Sequence, residues 1–221
     1  MSSEWYQSPA WDEEAQADFR QRLSRARGQK LYYLKAKAAA IADAFPDAAL
    51  ALCDERIAIG DEEERSRAAY AKALILGSNG HRSEMIAALE EAIGEDGLAL
   101  GAPAAGEYCC IVGFFGRSDR YSRALRILDS LDAAAMEQAG RPFRSFATRA
   151  ARALIEFKSG RKVAAIEPAK EALTLALQQS IGIPVLDKAV ATPDFPSPLH
   201  DALVVIAGIW DEGELGPPPE L

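Results

Sequence analysis

Apolar residues recur along most of the chain at intervals of three and four, the spacing that gathers them on one face of an α-helix. Leu31, Leu34, Ala38, Ile41 and Phe45 form one such stripe. Pro46 is expected to end it, because proline lacks the N–H that the next helical hydrogen bond needs. Asp47 can start the next helix, whose stripe is Ala49, Leu50, Cys53 and Ile57 before Gly60. These two segments predict a helical hairpin. Asp61 and the three glutamates after it open a further helix, since acids in a first turn complement the helix dipole, and it runs toward Leu76 and Gly77. Its partner carries Met85, Ala88, Leu89, Ala92 and Ile93 in a continuous i, i+3, i+4, i+7, i+8 series.

The glycine-rich stretch from 94 to 104 predicts a loop, and two more hairpins follow it. The first joins a helix bearing Tyr108, Cys109, Val112 and Phe115 to one that Ser118 can cap, with Tyr121, Ala124, Leu125, Leu128 and Leu131 facing inward. In the second, Phe143, Phe146, Ala150, Ala153, Leu154 and Phe157 mark a helix that Gly160 turns into one carrying Ile166, Ala169, Ala172, Leu173 and Ala176. Pro168 predicts a kink there, or a start delayed to Glu167. Residues 181–197 read as an irregular connection, 197–210 as a closing apolar helix and 213–221 as a frayed tail.

The hairpins repeat. With Ala49, Met85, Ala124 and Ala165 as equivalent points in successive second helices, the separations are 36, 39 and 41 residues, a period found in helical-repeat arrays. Gly80 with Met85, Ile86, Leu89, Ala92 and Ile93, then Tyr121 with Ala124, Leu125 and Leu128, then Gly160 with Ala165, Ile166, Ala172 and Leu173 make a pattern that resembles a degenerate tetratricopeptide repeat (TPR). Trp5 and the SPAW segment are similar to the openings of bacterial TPR-like proteins. The first helices depart from the family pattern in lacking its aromatic and Leu-Gly positions, and Asp119 stands where glycine is usual. The resemblance implies an all-α, right-handed α-solenoid of about four hairpins over residues 30–180. A leading helix in 1–29 and a capping helix in 181–221 would close it. A related α-solenoid is the alternative.

The resemblance also implies a concave groove lined by first helices, where Tyr33, Lys37, Tyr70, Ser145, Arg149 and Arg152 lie off the predicted buried stripes. Tyr33, Lys37, Tyr70, Arg149 and Arg152 are therefore the candidate partner-binding residues.

Charge sharpens that expectation. The net charge is −8 and the pI about 4.9, which argues against a nucleic-acid partner, because phosphate binding depends on clustered Lys and Arg. Within this acidic chain, residues 143–180 carry seven bases against three acids, while residues 61–97 carry nine acids against four bases. Arg149 and Arg152 fall outside the apolar stripe of their helix and are expected to be exposed, ready to pair with carboxylates of a partner. Glu156, four residues beyond Arg152, offers a competing local partner.

Other chemistry finds little purchase. Cys53, Cys109 and Cys110 are odd in number with no CxxC spacing, which predicts core thiols in a reducing compartment. The opening residues lack a basic region followed by an apolar stretch, and the longest apolar run, 203–210, is far too short for a membrane span, so a cytoplasmic chain is expected. There is no P-loop, GxSxG or GxGxxG motif. Asp61 to Glu64 with Glu90 and Glu91 make the nearest approach to a Mg²⁺ site, but consecutive acids point around a helix. The expectation is thus a non-enzyme without metal or cofactor, monomeric or weakly dimeric, that binds a protein or peptide as an adaptor or regulator. An immunity or inhibitor protein masking a basic toxin or enzyme is the alternative, ahead of an all-helical Mg-dependent enzyme.

The repeat register is directly testable. Ala165→Leu or Ala172→Leu should overpack a helix contact and destabilise by about 1–3 kcal/mol. An unchanged melting temperature in both variants would show the register to be misplaced.

Overall fold

The computed structural model describes residues 5–139, 145–178 and 198–209. Among these every regular element is helical. The chain divides into two compact units, Met1–Gly94 and Glu95–Leu221.

The first unit begins with a short 3-10 turn, Trp5–Gln7, followed by α1 (Glu13–Arg25), α2 (Lys30–Ile41), α3 (Pro46–Ile59), α4 (Glu62–Ser78) and α5 (Arg82–Ile93). Helix α2 packs on α3, α3 on α4, and α4 on α5. Asp12 starts α1 by accepting the Ala15 N–H at 2.8 Å, and Asp61 starts α4 by accepting the Glu64 N–H at 2.9 Å. Each satisfies one of the donors that a first turn leaves without an intrahelical partner. The boundary at Pro46 differs from expectation. Helix α2 stops at Ile41, Phe45 is exposed in the turn, and Pro46 opens α3 instead of closing α2. Its missing N–H costs nothing at a helix start.

The second unit comprises α6 (Ala102–Phe114), a 3-10 turn at Ser118–Arg120, α7 (Tyr121–Ala139), α8 (Phe146–Lys158), α9 (Lys162–Gln178) and α10 (Pro198–Ile206). Helix α6 lies against α7 and more extensively against α8; α8 packs on α9, and α10 closes on α9 and α8. Pro168 sits inside α9, which starts at Lys162 and not at Glu167. The expected irregular connection at 181–197, the tail at 213–221 and Phe143 lie outside the described residues.

The equivalent points coincide in structure. Ala49, Met85, Ala124 and Ala165 are each the fourth residue of α3, α5, α7 and α9, and all four are fully buried. Three of the turns leading into these helices also share one construction. Gly80, Gly116 and Gly160 adopt positive φ of 76°, 68° and 81°. The next residue in each case returns its N–H to a carbonyl five positions back: His81 to Leu76, Arg117 to Val112, Arg161 to Glu156. This is the glycine-terminated Schellman ending, which caps carbonyls that the last helical turn leaves open. The glycine missing at Asp119 is therefore present three residues earlier, at Gly116, and the 3-10 turn Ser118–Arg120 fills the extra length. Ser118 opens that turn and does not cap α7.

Small residues set the spacing between α6 and α8. A Cβ built on Gly106 would lie 3.0 Å from Thr148 Cγ2, and one on Gly113 would lie 3.0 Å from Leu154 Cβ and 3.2 Å from Ile155 Cγ1. These glycines are seven residues apart, on one face of α6. Gly113→Leu should destabilise the protein by about 1–3 kcal/mol or more, because the backbones cannot separate without losing the contacts on either side. Ala133→Leu on the exposed face of α7 should change stability by less than about 0.5 kcal/mol. Urea unfolding of the two variants checks the contrast, and equal effects would contradict it.

Candidate interaction surfaces

The residues that bear chemistry gather in two places, one in each unit. In the second unit, Ser145 starts α8 with a capping box: its Oγ accepts the Thr148 N–H and Thr148 Oγ1 accepts the Ser145 N–H, each at 3.2 Å. Ser145 is thus a helix cap. Arg149 and Arg152 follow on one face, and α7 meets them with two acids. Arg149 Nη2 lies 3.0 Å from Asp132 Oδ1 and its Nε 3.2 Å from Glu171 Oε2 on α9. Arg152 Nη2 lies 2.7 Å from Asp129 Oδ1 and 3.5 Å from Asp132 Oδ2. Asp132 is shared by both arginines.

The expectation that Arg149 stands outside the core is overturned, since it is only 8% exposed. Helix α8 is buried on more than its apolar stripe: Thr148, Ala151 and Ile155 are enclosed as well. Part of the basic excess of residues 143–180, that of Arg149 and Arg152, is met by Asp129 and Asp132, acids that lie just outside that stretch in sequence but across from it in space. Glu156 pairs with Arg161. Arg149→Glu would therefore place a carboxylate in a buried site that already faces Asp132 and Glu171, and it should cost stability.

The same interior holds further polar groups. Glu107 and Tyr108 are buried on α6, and the Arg123 guanidinium lies 5.6 Å from the Tyr108 ring centre. The Cys109 thiol donates to the Ala124 carbonyl at 3.5 Å, and burial pushes its pKa up to about 12. Burial likewise raises Cys53 to about 11. At neutral pH neither thiol is ionised.

In the first unit, Lys37 is also interior. It is 1% exposed, contrary to its expected place in a groove. Its Nζ donates to the Ser8 and Ala10 carbonyls at 2.7 and 3.0 Å and lies 5.2 Å from the Trp11 ring centre. Burial lowers its pKa, an effect that Asp18 opposes. Lys37 therefore ties the opening segment to α2. Around it, Trp5 and Tyr6 each pack on Tyr33 with ring centres 4.9 Å apart, and Trp5 and Trp11 both reach Phe19. Tyr33 donates its hydroxyl to Gln29 Oε1 and is half-buried. Tyr70 is half-buried on α4. The five candidate residues thus fall in three places: Tyr33 and Lys37 in the aromatic cluster, Tyr70 on α4, Arg149 and Arg152 in the ion-pair network.

Three of the acids at the start of α4 have partners. Asp61 caps the helix, Glu63 pairs with Arg67, and Glu64 holds the buried Arg56 at 2.8 Å. The hydrogen bond from Arg56 outweighs burial and keeps the Glu64 carboxyl below its ordinary range. Among the described residues no group of three His, Cys, Asp or Glu is arranged to hold a metal ion, and no helix is long and apolar enough to cross a membrane.

A second basic stretch is more open than the first. Residues 19–42 contain seven of the chain's 25 Lys and Arg and none of its 33 Asp and Glu. A scan of charge by segment finds it without any structural knowledge. Arg20 and Lys30 share Glu55 of α3, while Arg25, Arg27 and Lys35 are exposed.

The ion-pair network makes a definite claim on stability. Asp132→Ala should destabilise by about 1–3 kcal/mol, because Arg149 and Arg152 both lose the acid they share. Thermal unfolding checks this, and an unchanged midpoint would show the arginines to be solvated surface groups.

Comparison of the chain with family models, curated proteins and solved structures finds no match.

Proposed function

We propose that the chain is a protein-interaction module: a TPR-like array of four helical hairpins that holds a segment or domain of another protein, as an adaptor or regulator does. The observation that carries this reading is the shared hairpin. Four second helices bury the same fourth position, and three of the four turns preceding them end on a left-handed glycine with the same hydrogen bond. Stacked repeats of one hairpin design bury a continuous core and leave extended faces on either side, and such faces suit the binding of another chain. The side-by-side contact of the first helices α6 and α8 adds support.

The groove residues need revision within this reading. Arg149 and Lys37 are interior and Arg152 is tied to Asp129 and Asp132, so contacts with a partner fall to exposed positions. A second reading, a protein that masks a basic partner, draws on the exposed acids Glu62, Glu63, Glu84 and Glu91.

Cross-linking in the source cell of the full chain, tagged and at its native level, followed by quantitative mass spectrometry, tests both. The module reading expects one saturable protein partner in stoichiometric amount, and a strongly basic partner would select the masking version. Recovery of the chain without any such partner would contradict the proposal.

A further inference from the structure

The elbow between α1 and α2 concentrates positive charge that the fold does not consume. Of the seven bases between residues 19 and 42, Lys37 is spent on the Ser8 and Ala10 carbonyls and Arg22 on Asp18 at 2.8 Å. Arg20 and Lys30 converge on a single carboxylate, Glu55, which burial would raise but which hydrogen bonds from Arg20 and Lys30 hold below the usual carboxylate range. Both bases keep more than two fifths of their side-chain surface in solvent. Arg25, the last residue of α1, and Arg27, in the turn that follows, are exposed and have no ion pair among the described residues. Lys35, one turn further along α2, is exposed beside Tyr32, which is 53% exposed. An interior network of the kind seen at Arg149 has one acid or more for each arginine; the elbow does not.

We infer that this elbow docks an acidic segment of a partner protein, with Arg25 and Arg27 as its principal contacts, Arg20 and Lys30 as flanking ones, and Tyr32 and Lys35 at the margin. The inference rests on the interaction-module reading and names the chemistry of the partner. Two observations favour a short acidic peptide over a nucleic acid. Trp5 is covered by the Arg22 guanidinium at 5.7 Å and Tyr6 and Tyr33 are packed on each other, so Tyr32 stands as a single exposed ring without a run of platforms on which successive bases could stack. The rest of the chain carries all 33 acids, which repels a long polyanion, while a short segment engages the elbow within one screening length.

The test uses the full chain and fluorophore-labelled octaglutamate, titrated at low ionic strength, with octathymidylate titrated in parallel. Arg25→Glu with Arg27→Glu should weaken octaglutamate binding by about tenfold or more. Arg126→Glu with Lys170→Glu, which alters the net charge equally at exposed positions of α7 and α9, should change it by less than about twofold. Matching circular dichroism spectra of the variants secure the comparison. Absence of octaglutamate binding, equal loss in both variants, or tighter binding of octathymidylate would each overturn the assignment. A cross-linked partner retained by a chain that ignores octaglutamate removes the elbow and keeps the module, whereas octaglutamate binding without any cellular partner removes the module.

Discussion

Helix α6 can lie directly on α8 only because its facing positions carry no side chain. Gly106 and Gly113 bring the backbones so close that an added Cβ would stand 3.0 Å from Thr148 and Leu154. Packing at that distance recovers dispersion contacts that longer side chains would hold apart. The rest of the second unit follows from it. With α8 pressed on α6 and backed by α9, its polar side has little room in solvent, so Arg149 is enclosed and Arg152 nearly so. Buried guanidinium groups require partners, and Asp129 and Asp132 of α7 with Glu171 of α9 supply them. Close backbone packing and the ion-pair network are one design.

Much of this was legible in the sequence because it is local. The hairpins, the start of α4 at Asp61 and the buried stripe of α5 follow from spacing and from the electrostatic and hydrogen-bonding habits of individual residues. The equivalence of Ala49, Met85, Ala124 and Ala165 was legible because one small or flexible residue recurs where helices meet. What escaped reading was set by distant partners. Lys37 looks like a surface lysine on α2 until the opening segment brings the Ser8 and Ala10 carbonyls to it. Arg149 and Arg152 look free until α7 is laid beside them. Phe45 fits the periodicity of α2 but lies beyond its last turn, since Pro46 is better placed as the first residue of the following helix.

The two basic stretches teach the same lesson in opposite directions. Residues 143–180 have the smaller excess of bases, and the two arginines of α8 within them are paired across space with acids outside the stretch. Residues 19–42 have the larger excess, and the structure sets the shared Glu55 and Asp18 against it. A charge block becomes a surface only when its cations outnumber the acids within reach. By that criterion the elbow of α1 and α2, and not the face of α8, is where positive charge stands in solvent.

Arginine reactivity tests that distinction most directly. Treating the folded full chain with phenylglyoxal and following each arginine by mass spectrometry should show Arg25 and Arg27 modified rapidly, while Arg149 and Arg152 react only after unfolding. Modification of Arg149 and Arg152 as fast as that of Arg25 and Arg27 would contradict the account, since it would place the charge of α8 in solvent.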